Sequence, residues 1–313
     1  APVPDLQVAV YRFIRRLAIV ALATVAVKAL LFETVLLETD QMEPTLMRGD
    51  RVLVFRAPFV PVLSWFFRPG KNAPVVFNYP PAGREKPGKG CLRIAALPGD
   101  RVEIHEGRYS VDGPGGSVNT RMMPKESVLP PEYSPRDNLA PLRIPRPGEV
   151  LDLDTVSQRD LFFYTSMIAQ ENPNKECRIA AELRIDDSLS NDYIISDFPL
   201  YSGPFYGVPD SLRMDWFFWD RLRDYLGRVL PGKRPALHFT ALLDDVPVTE
   251  YAVGKPFAFL LAEAWSAGYD SRYFGPVALS EMRGVPVAVL WSFGVDEDGN
   301  RQLRGKRIGR IVR

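Results

Sequence analysis

Arg51-Val-Leu-Val-Phe-Arg56 is the first of several short apolar runs that decide the fold. Three further runs follow it in the chain: Pro74-Val-Val-Phe-Asn78, Leu92-Arg-Ile-Ala-Ala96 and Arg101-Val-Glu-Ile104. Val, Ile and Phe favour strands, and turn signals such as Pro98-Gly-Asp100 separate the runs. Similar runs return later, at Leu237–Leu243, Phe257–Ala262 and Val287–Phe293. The sequence therefore predicts a mainly β fold.

Residues between these two groups of runs have a different character. Two segments show helical spacing of apolar side chains, Thr155–Gln170 and Asp210–Leu230. We therefore expect an α+β inserted domain. The aromatic face around Trp216 and Trp219 fits a core helix, or a helix that lies on a membrane or docks on a partner.

The N-terminal part contains one long apolar stretch, Leu17–Leu37, which follows Arg12, Arg15 and Arg16. A helix needs about 20 residues to cross a bilayer, and basic residues favour the cytoplasmic side. The predicted organisation is a cytoplasmic N-terminus at 1–16, a transmembrane helix at 17–37, a β core at 38–113 and 236–313, and an inserted domain at 114–235.

Composition excludes several classes of function. Lys and Arg number 39 against 38 Asp and Glu, so no basic excess supports a nucleic-acid partner. The two histidines, His105 and His238, lie in no catalytic or metal-binding motif, and we expect neither a metal nor another cofactor. Cys91 and Cys177 leave the question of a disulfide open.

Three separated segments, in this order, resemble type I signal peptidases. The first is Gln41-Met-Glu-Pro-Thr-Leu46 with Arg48-Gly-Asp50, where the family has Ser-Met-x-Pro-Thr-Leu. The second is Leu92-Arg-Ile-Ala-Ala-Leu-Pro-Gly-Asp100, similar to Lys-Arg-x-x-Gly-Leu-Pro-Gly-Asp, and the third is Asp270-Ser-Arg-Tyr-Phe-Gly275. The resemblance implies a signal-peptidase-like β fold. It implies structural roles for the following residues: Met42, Pro44, Arg93, Pro98, Gly99, Asp100, Asp270, Ser271 and Arg272.

The resemblance also implies a reaction, peptide hydrolysis by a serine–lysine dyad. A serine needs a base to take its proton, and a lysine can serve only when its amine is neutral. In this sequence Gln41 stands at the position of the serine, Leu92 at that of the lysine, and Gly268 at that of the serine that orients the lysine. The family's Gly-Asp-Asn reads Ala262-Glu-Ala264. The sequence thus predicts a pseudo-enzyme, with no catalytic residue at these degenerate positions.

Two roles remain for such a protein, a binder of exported peptides or an accessory subunit of a membrane or export assembly. The family binds substrate beside the nucleophile and the lysine, which here gives the groove candidates Val35, Leu37, Glu38, Asp40 and Cys91. The family usually has proline at Glu38, so the groove shape is in question. An open groove beside Gln41 would favour peptide binding, and a filled one would favour a structural role.

The alternative is an active type I signal peptidase with a non-standard dyad. Its hydroxyl would come from Thr39 or Thr45 and its amine from Lys71, Lys86 or Lys89, while an aspartic-type pair of Glu38 and Asp40 is a weaker option. In all cases we expect a single-pass protein of the bacterial inner (cytoplasmic) membrane. Its N-terminus would be cytoplasmic and its main domain periplasmic, with the lipid bilayer and other membrane or exported proteins as partners.

Overall fold

The structure, a computed structural model, describes residues 4–57, 69–79, 88–112, 134–266, 268–295 and 299–312. Within these residues the helices are α1 (Pro4–Leu31), α2 (Gln158–Glu171), α3 (Asp210–Arg213), α4 (Trp216–Val229) and α5 (Ser271–Phe274). The first nine strands are β1 (Phe32–Leu36), β2 (Asp50–Phe55), β3 (Pro74–Tyr79), β4 (Gly88–Ala96), β5 (Arg101–His105), β6 (Arg108–Val111), β7 (Leu139–Arg143), β8 (Val150–Asp152) and β9 (Cys177–Ile185). The remaining strands are β10 (Ser188–Leu189), β11 (Ile194–Ile195), β12 (Gly203–Pro204), β13 (Pro235–Leu243), β14 (Val246–Pro247), β15 (Glu250–Ala252), β16 (Phe257–Leu261), β17 (Val277–Ala278), β18 (Met282–Val295) and β19 (Arg301–Leu303).

One antiparallel sheet joins the two ends of the described chain. Its strand order is β1-β2-β18-β3-β4-β16-β17, and β19 adds to β18. The long strand β18 pairs with β2 along Val285–Ser292 and with β3 at Met282 and Gly284. The register shifts within both of these pairings, and such bulges bend a strand and increase its twist. The prediction of a mainly β protein is confirmed.

The rest of the described chain builds smaller sheets and two packed helices. Strands β9 and β13 pair along their whole length in the sheet β10-β9-β13-β14, while β5 is central in the order β6-β5-β7. Helix α4 packs on this second region through Phe218, Trp219, Leu222 and Leu226, which are all buried. Trp219 is therefore a core residue, and the predicted helix at 210–230 is divided into α3 and α4, with Asp215 capping α4.

The prediction of a helix over 17–37 is wrong at its C-terminal end. Helix α1 ends at Leu31, and Phe32–Leu36 forms strand β1 paired with β2. The physical reason is local, because Phe32, Thr34 and Val35 favour a strand and β2 offers a neighbouring edge. No helix in the described part of the chain combines the length and apolar character needed to span a membrane.

Two strand pairs cross the predicted domain boundaries, and those boundaries stay a prediction. Strand β13 lies in the part predicted as core at 236–313, yet it pairs with β9 of the predicted insertion. Conversely, β7 lies in the part predicted as insertion at 114–235, yet it pairs with β5 of the predicted core. These partners are distant in sequence, so local patterns could not assign them. The residues at the 113/114 boundary lie outside the described ranges.

Candidate functional site

The segment that carries Gln41 is a turn-rich connection between β1 and β2, fastened at both ends. The backbone N–H of Leu37 donates to Asp50 O at 2.9 Å, and that of Gly49 donates to Leu37 O at 2.8 Å. Asp50 is buried and accepts two hydrogen bonds from the Arg307 guanidinium, at 3.0 and 2.6 Å. The Arg48-Gly-Asp50 motif thus holds the connection in one place.

Gln41 is nearly buried and contacts the loop at 262–270. Its Nε2 donates to Tyr269 O at 3.2 Å, and its backbone oxygen accepts from Ala264 N at 3.0 Å. The hydroxyl of Thr39 donates to Gln41 Oε1 at 3.5 Å. The carboxamide therefore bridges two loops through polar contacts, and an amide has no route to an acyl-enzyme.

Leu92 lies on β4, between β3 and β16. It is fully buried in an apolar cluster with Val75, Phe77, Leu260 and Ala262. Arg93 pairs with Leu261, so Leu92 lies next to Ala262, the first residue of the loop at 262–270. Gln41 and Leu92 therefore both meet this loop, and Leu92 contributes packing and no proton chemistry.

Gly268 completes the set of predicted degenerate positions, and it lies against Ala262. A Cβ placed on Gly268 would be 2.3 Å from the Cβ of Ala262 and 3.2 Å from Asp270 Oδ2. The methyl group of Ala262 therefore occupies the space that a side chain at residue 268 would need. That Gln41, Leu92 and Gly268 stand at the family's catalytic positions stays a prediction.

Buried ion pairs hold the loop at 262–270 from both sides. Arg93 pairs with Glu263 at 2.6 Å, and Arg272 pairs with Asp270 at 2.8 Å. Asp270 also caps α5 and accepts from Ala262 N at 2.9 Å, while the Ser271 hydroxyl accepts from Leu260 N at 2.9 Å. Asp100 accepts from Leu97 N within the turn that contains Pro98 and Gly99. These motif residues make structural contacts.

Two buried groups of this network come from residues 136–137, which carried no signal in the sequence. Trp265 Nε1 donates to Asp137 Oδ1 at 2.6 Å, and Arg272 Nη1 donates to Arg136 O at 2.8 Å. The Arg272 guanidinium also lies 4.3 Å from the centroid of the Trp265 ring. Only the residues at 262 and 268, alanine and glycine where the resemblance predicts glycine and serine, could have indicated the tight packing here.

The residues considered for a substitute dyad are engaged elsewhere. Lys71 pairs with Asp100 at 3.0 Å and Asp112 at 3.2 Å. Burial alone would lower the pKa of Lys71, but the hydrogen bonds and charges of the two aspartates outweigh it and leave this pKa raised. Lys89 forms an ion pair with Glu33, and Lys86 lies outside the described residues. A protonated lysine held by a carboxylate is a poor general base.

The remaining acidic and hydroxyl candidates show no catalytic arrangement. Asp40 Oδ1 accepts from Arg48 N at 3.3 Å, and both Glu38 and Asp40 are exposed. Thr45 offers its backbone oxygen to Arg307 at 3.0 Å. Met42 is buried in the core beside these residues, and Pro44 follows a cis peptide bond.

Three of the five groove candidates are buried in the molecule's own core. Val35, Leu37 and Cys91 belong to one apolar cluster with Met42 and Val76. Burial raises the pKa of the Cys91 thiol to about 12, so this thiol is not a nucleophile. Cys91 and Cys177 are both free thiols. These three side chains therefore face the core, whereas Glu38 and Asp40 are exposed.

A separate cleft opens on the other side of the loop that carries Tyr269. It has a volume of about 920 Å³ and lies between α2, β9, the α3–α4 turn and α5. Its apolar lining includes Phe162, Phe163, Met214, Tyr269, Tyr273 and Phe274. Because Tyr269 O accepts from Gln41 Nε2, Tyr269 borders this cleft and also contacts Gln41. Among the described residues no His, Cys, Asp and Glu cluster has the arrangement of a metal site.

The match to a family model agrees with the order of these motifs. Residues 10–150 match the model of signal peptidase, peptidase S26, which includes both Gln41 and Leu92. The predicted resemblance to type I signal peptidases is confirmed, and this part of the chain is signal-peptidase-like. The third motif at 270–275 lies outside the match. A comparison with curated proteins finds no match to the chain.

Proposed function

We propose that the protein is a catalytically inactive, signal-peptidase-like accessory subunit of a membrane or export assembly. The observation that carries this proposal is the pair of contacts made by Gln41 and Leu92. Gln41 is bound by its amide to Tyr269 O, and Leu92 is buried in an apolar cluster. Hydrolysis by a dyad needs a hydroxyl hydrogen-bonded to a neutral amine, and neither group stands at these positions.

The burial of three of the five groove candidates favours the accessory role over the family's peptide groove. A peptide bound by strand addition needs an accessible edge and pockets for alternate side chains. Val35, Leu37 and Cys91 instead pack into the core, and the Lys89–Glu33 ion pair joins the edge strand β1 to β4. An exported chain would have to displace these contacts.

The aromatic cleft supports a second candidate, a binder of exported peptides. About 920 Å³ lined by Phe162, Tyr269 and Phe274 can hold several apolar side chains. A photoreactive residue at Met214 would be expected to crosslink an apolar signal-like peptide, and the same group at exposed Val246 would not. Equal crosslinking at both positions would remove this candidate.

We further propose that the protein contacts the lipid bilayer through α1. Leu17, Leu22 and Val25 expose more than half of their surface, and Arg12, Arg15 and Arg16 precede them. Burial of such side chains in lipid is favourable by about 25 cal/mol for each Å² of apolar surface. Location in the inner (cytoplasmic) membrane of a bacterium, with the main domain periplasmic, belongs to the same proposal.

The test of inactivity is a cleavage assay with a preprotein whose signal peptide ends in an Ala-x-Ala site. The full chain is expected to give no cleavage above a buffer blank, and variants Thr39→Ala and Lys89→Ala are expected to behave the same. Cleavage by the natural chain that either variant abolishes would establish an active peptidase with a non-standard dyad. Isolation in mild detergent then separates the remaining roles, since an accessory subunit is recovered in a stable stoichiometric complex.

A further inference from the structure

Glu33 lies among three basic side chains at the point where α1 meets the sheet. Lys89 pairs with its Oε1, while Arg56 Nε and Arg283 Nη2 each lie 3.8 Å from its Oε2. These four residues come from β1, β4, β18 and the residue that follows β2. We call them the Glu33 cluster. It combines strands that are far apart in sequence, and the linear pattern gave no sign of it.

The Glu33 cluster has more positive charge than its own carboxylate can neutralise. Within the cluster three cations face one anion. Burial alone would raise the pKa of Glu33, but Lys89, Arg283 and Arg56 outweigh it and leave this pKa lowered. Glu33 is thus ionised at neutral pH, and the four residues of the cluster together carry an excess of positive charge.

The two arginines are held only loosely by Glu33. Among the described residues Arg283 Nε and Glu33 Oε2 are both buried without a hydrogen-bond partner, because the guanidinium groups lie 3.8 Å from the carboxylate, too distant for hydrogen bonds. The side chains of Arg56 and Arg283 are 34% and 38% exposed, which leaves both accessible to a ligand. Both guanidinium groups lie 3.8 Å from the same Glu33 oxygen, and guanidinium donors match the geometry of a phosphate.

The position of the cluster indicates which phosphate. Arg56 N donates to Leu31 O at 2.7 Å, so the cluster begins where α1 ends. The neighbouring turns of α1 expose Val27 and Leu30. We propose that Arg56 and Arg283 bind the headgroup phosphate of an anionic phospholipid whose acyl chains lie along α1. The proposal rests on the lipid contact of α1 suggested above and is independent of catalytic inactivity.

The test compares binding of the full chain to vesicles of phosphatidylcholine alone and vesicles with three parts in ten phosphatidylglycerol. The readout is the ratio of the two partition coefficients, measured by sedimentation. Each arginine near an anionic surface contributes roughly fivefold, so Arg56→Gln with Arg283→Gln is expected to lower the ratio by about 25-fold. The matched control, Arg184→Gln with Arg223→Gln, removes two exposed arginines from the inserted region and should leave the ratio unchanged.

Each outcome bears on the proposal. Loss of the ratio in the glutamine variant, with an unchanged thermal melt, supports the site. An equal ratio in the natural chain and the glutamine variant overturns it. Full competition by inorganic phosphate at millimolar concentration would also overturn it, because the site would then take free phosphate. Absence of binding to either vesicle would refute the lipid contact of α1 itself.

Discussion

Gly268 and Ala262 are packed so closely that a Cβ on the first would lie 2.3 Å from the Cβ of the second. The resemblance predicts serine at 268 and glycine at 262, and by that prediction the larger group here stands at residue 262 instead. We infer that the two substitutions compensate each other in volume. A serine at residue 268 would therefore fit only if the side chain of residue 262 were also made smaller.

The first prediction concerns this exchange. Gly268→Ser is expected to lower the free energy of unfolding by about 2 kcal/mol, since overpacking a full core strains its neighbours. Adding Ala262→Gly should recover at least half of the loss, a coupling that a double-mutant cycle in urea detects. Gly70→Ser has open space and serves as the control, with a change within about 0.5 kcal/mol. Additive effects at 262 and 268 would contradict the packing argument.

The same exchange determines how activity would be restored. The variant Gln41→Ser, Leu92→Lys and Gly268→Ser is expected to remain inactive toward an Ala-x-Ala preprotein. Addition of Ala262→Gly provides space for the serine hydroxyl beside residue 92, and we expect measurable cleavage from this fourfold variant. Equal activity in the triple and fourfold variants would show that Ala262 does not obstruct the site.

A second prediction concerns Gly49 in the connection that fixes Gln41. Its φ is +87°, and a Cβ there would be 1.9 Å from Phe293 O. Gly49→Ala should therefore lower the free energy of unfolding by about 3 kcal/mol or more. The matched control is Gly227→Ala, an exposed glycine of α4 with no neighbouring atoms, which should gain about 0.5–1 kcal/mol. Comparable melting temperatures for the two variants would contradict this assignment.

Acid should weaken the same connection through Asp50. Burial alone would raise the pKa of Asp50, but hydrogen bonds from Arg307 and from Met47 N outweigh it and leave this pKa below its ordinary value of 3.8. The carboxylate therefore contributes stability above about pH 4–5, and the contribution is lost as pH falls through the folded-state pKa. Thermal unfolding between pH 6 and pH 2.5 should show a steeper loss for the natural chain than for Asp50→Asn, whereas exposed Asp192→Asn should follow the natural chain.

The cysteines give a fourth prediction. Burial raises the pKa of the Cys91 and Cys177 thiols to about 12 and about 11, so little thiolate exists at pH 8. A disulfide-exchange reagent should react slowly with the folded chain and should titrate two thiols after unfolding in guanidinium. No titratable thiol in the unfolded chain would instead indicate a Cys91–Cys177 disulfide.

Local patterns predicted much of the fold. Runs such as 51–56 and 237–243 became β2 and β13 with boundaries shifted by one or two residues, because alternation and turn residues act over short distances. The end of α1 was missed because the apolar run continues into β1 without a breaker. The sequence could not assign β13 to its partner β9, since pairing between distant strands depends on the whole fold.

The candidate site shows the same division. The sequence indicated Gln41, Leu92 and Gly268 through their places in motifs. It gave no sign that Ala262 fills the space beside Gly268, because that contact depends on how the loop at 262–270 turns back. The Glu33 cluster likewise needs three strands to converge on one carboxylate.

Strand β18 lies between β2 and β3 in the sheet, although both of these strands precede it by about 200 residues or more in the sequence. During synthesis, the edges of β2 and β3 that pair with β18 therefore stay without hydrogen-bond partners until β18 has been made. Premature contact between two nascent chains would use those edges, and slow long-range pairing lengthens the exposure. Pairing of β18 with β2 and β3 thus covers both edges and completes the sheet. Expression of the first half of the chain, without β18, should therefore yield aggregates.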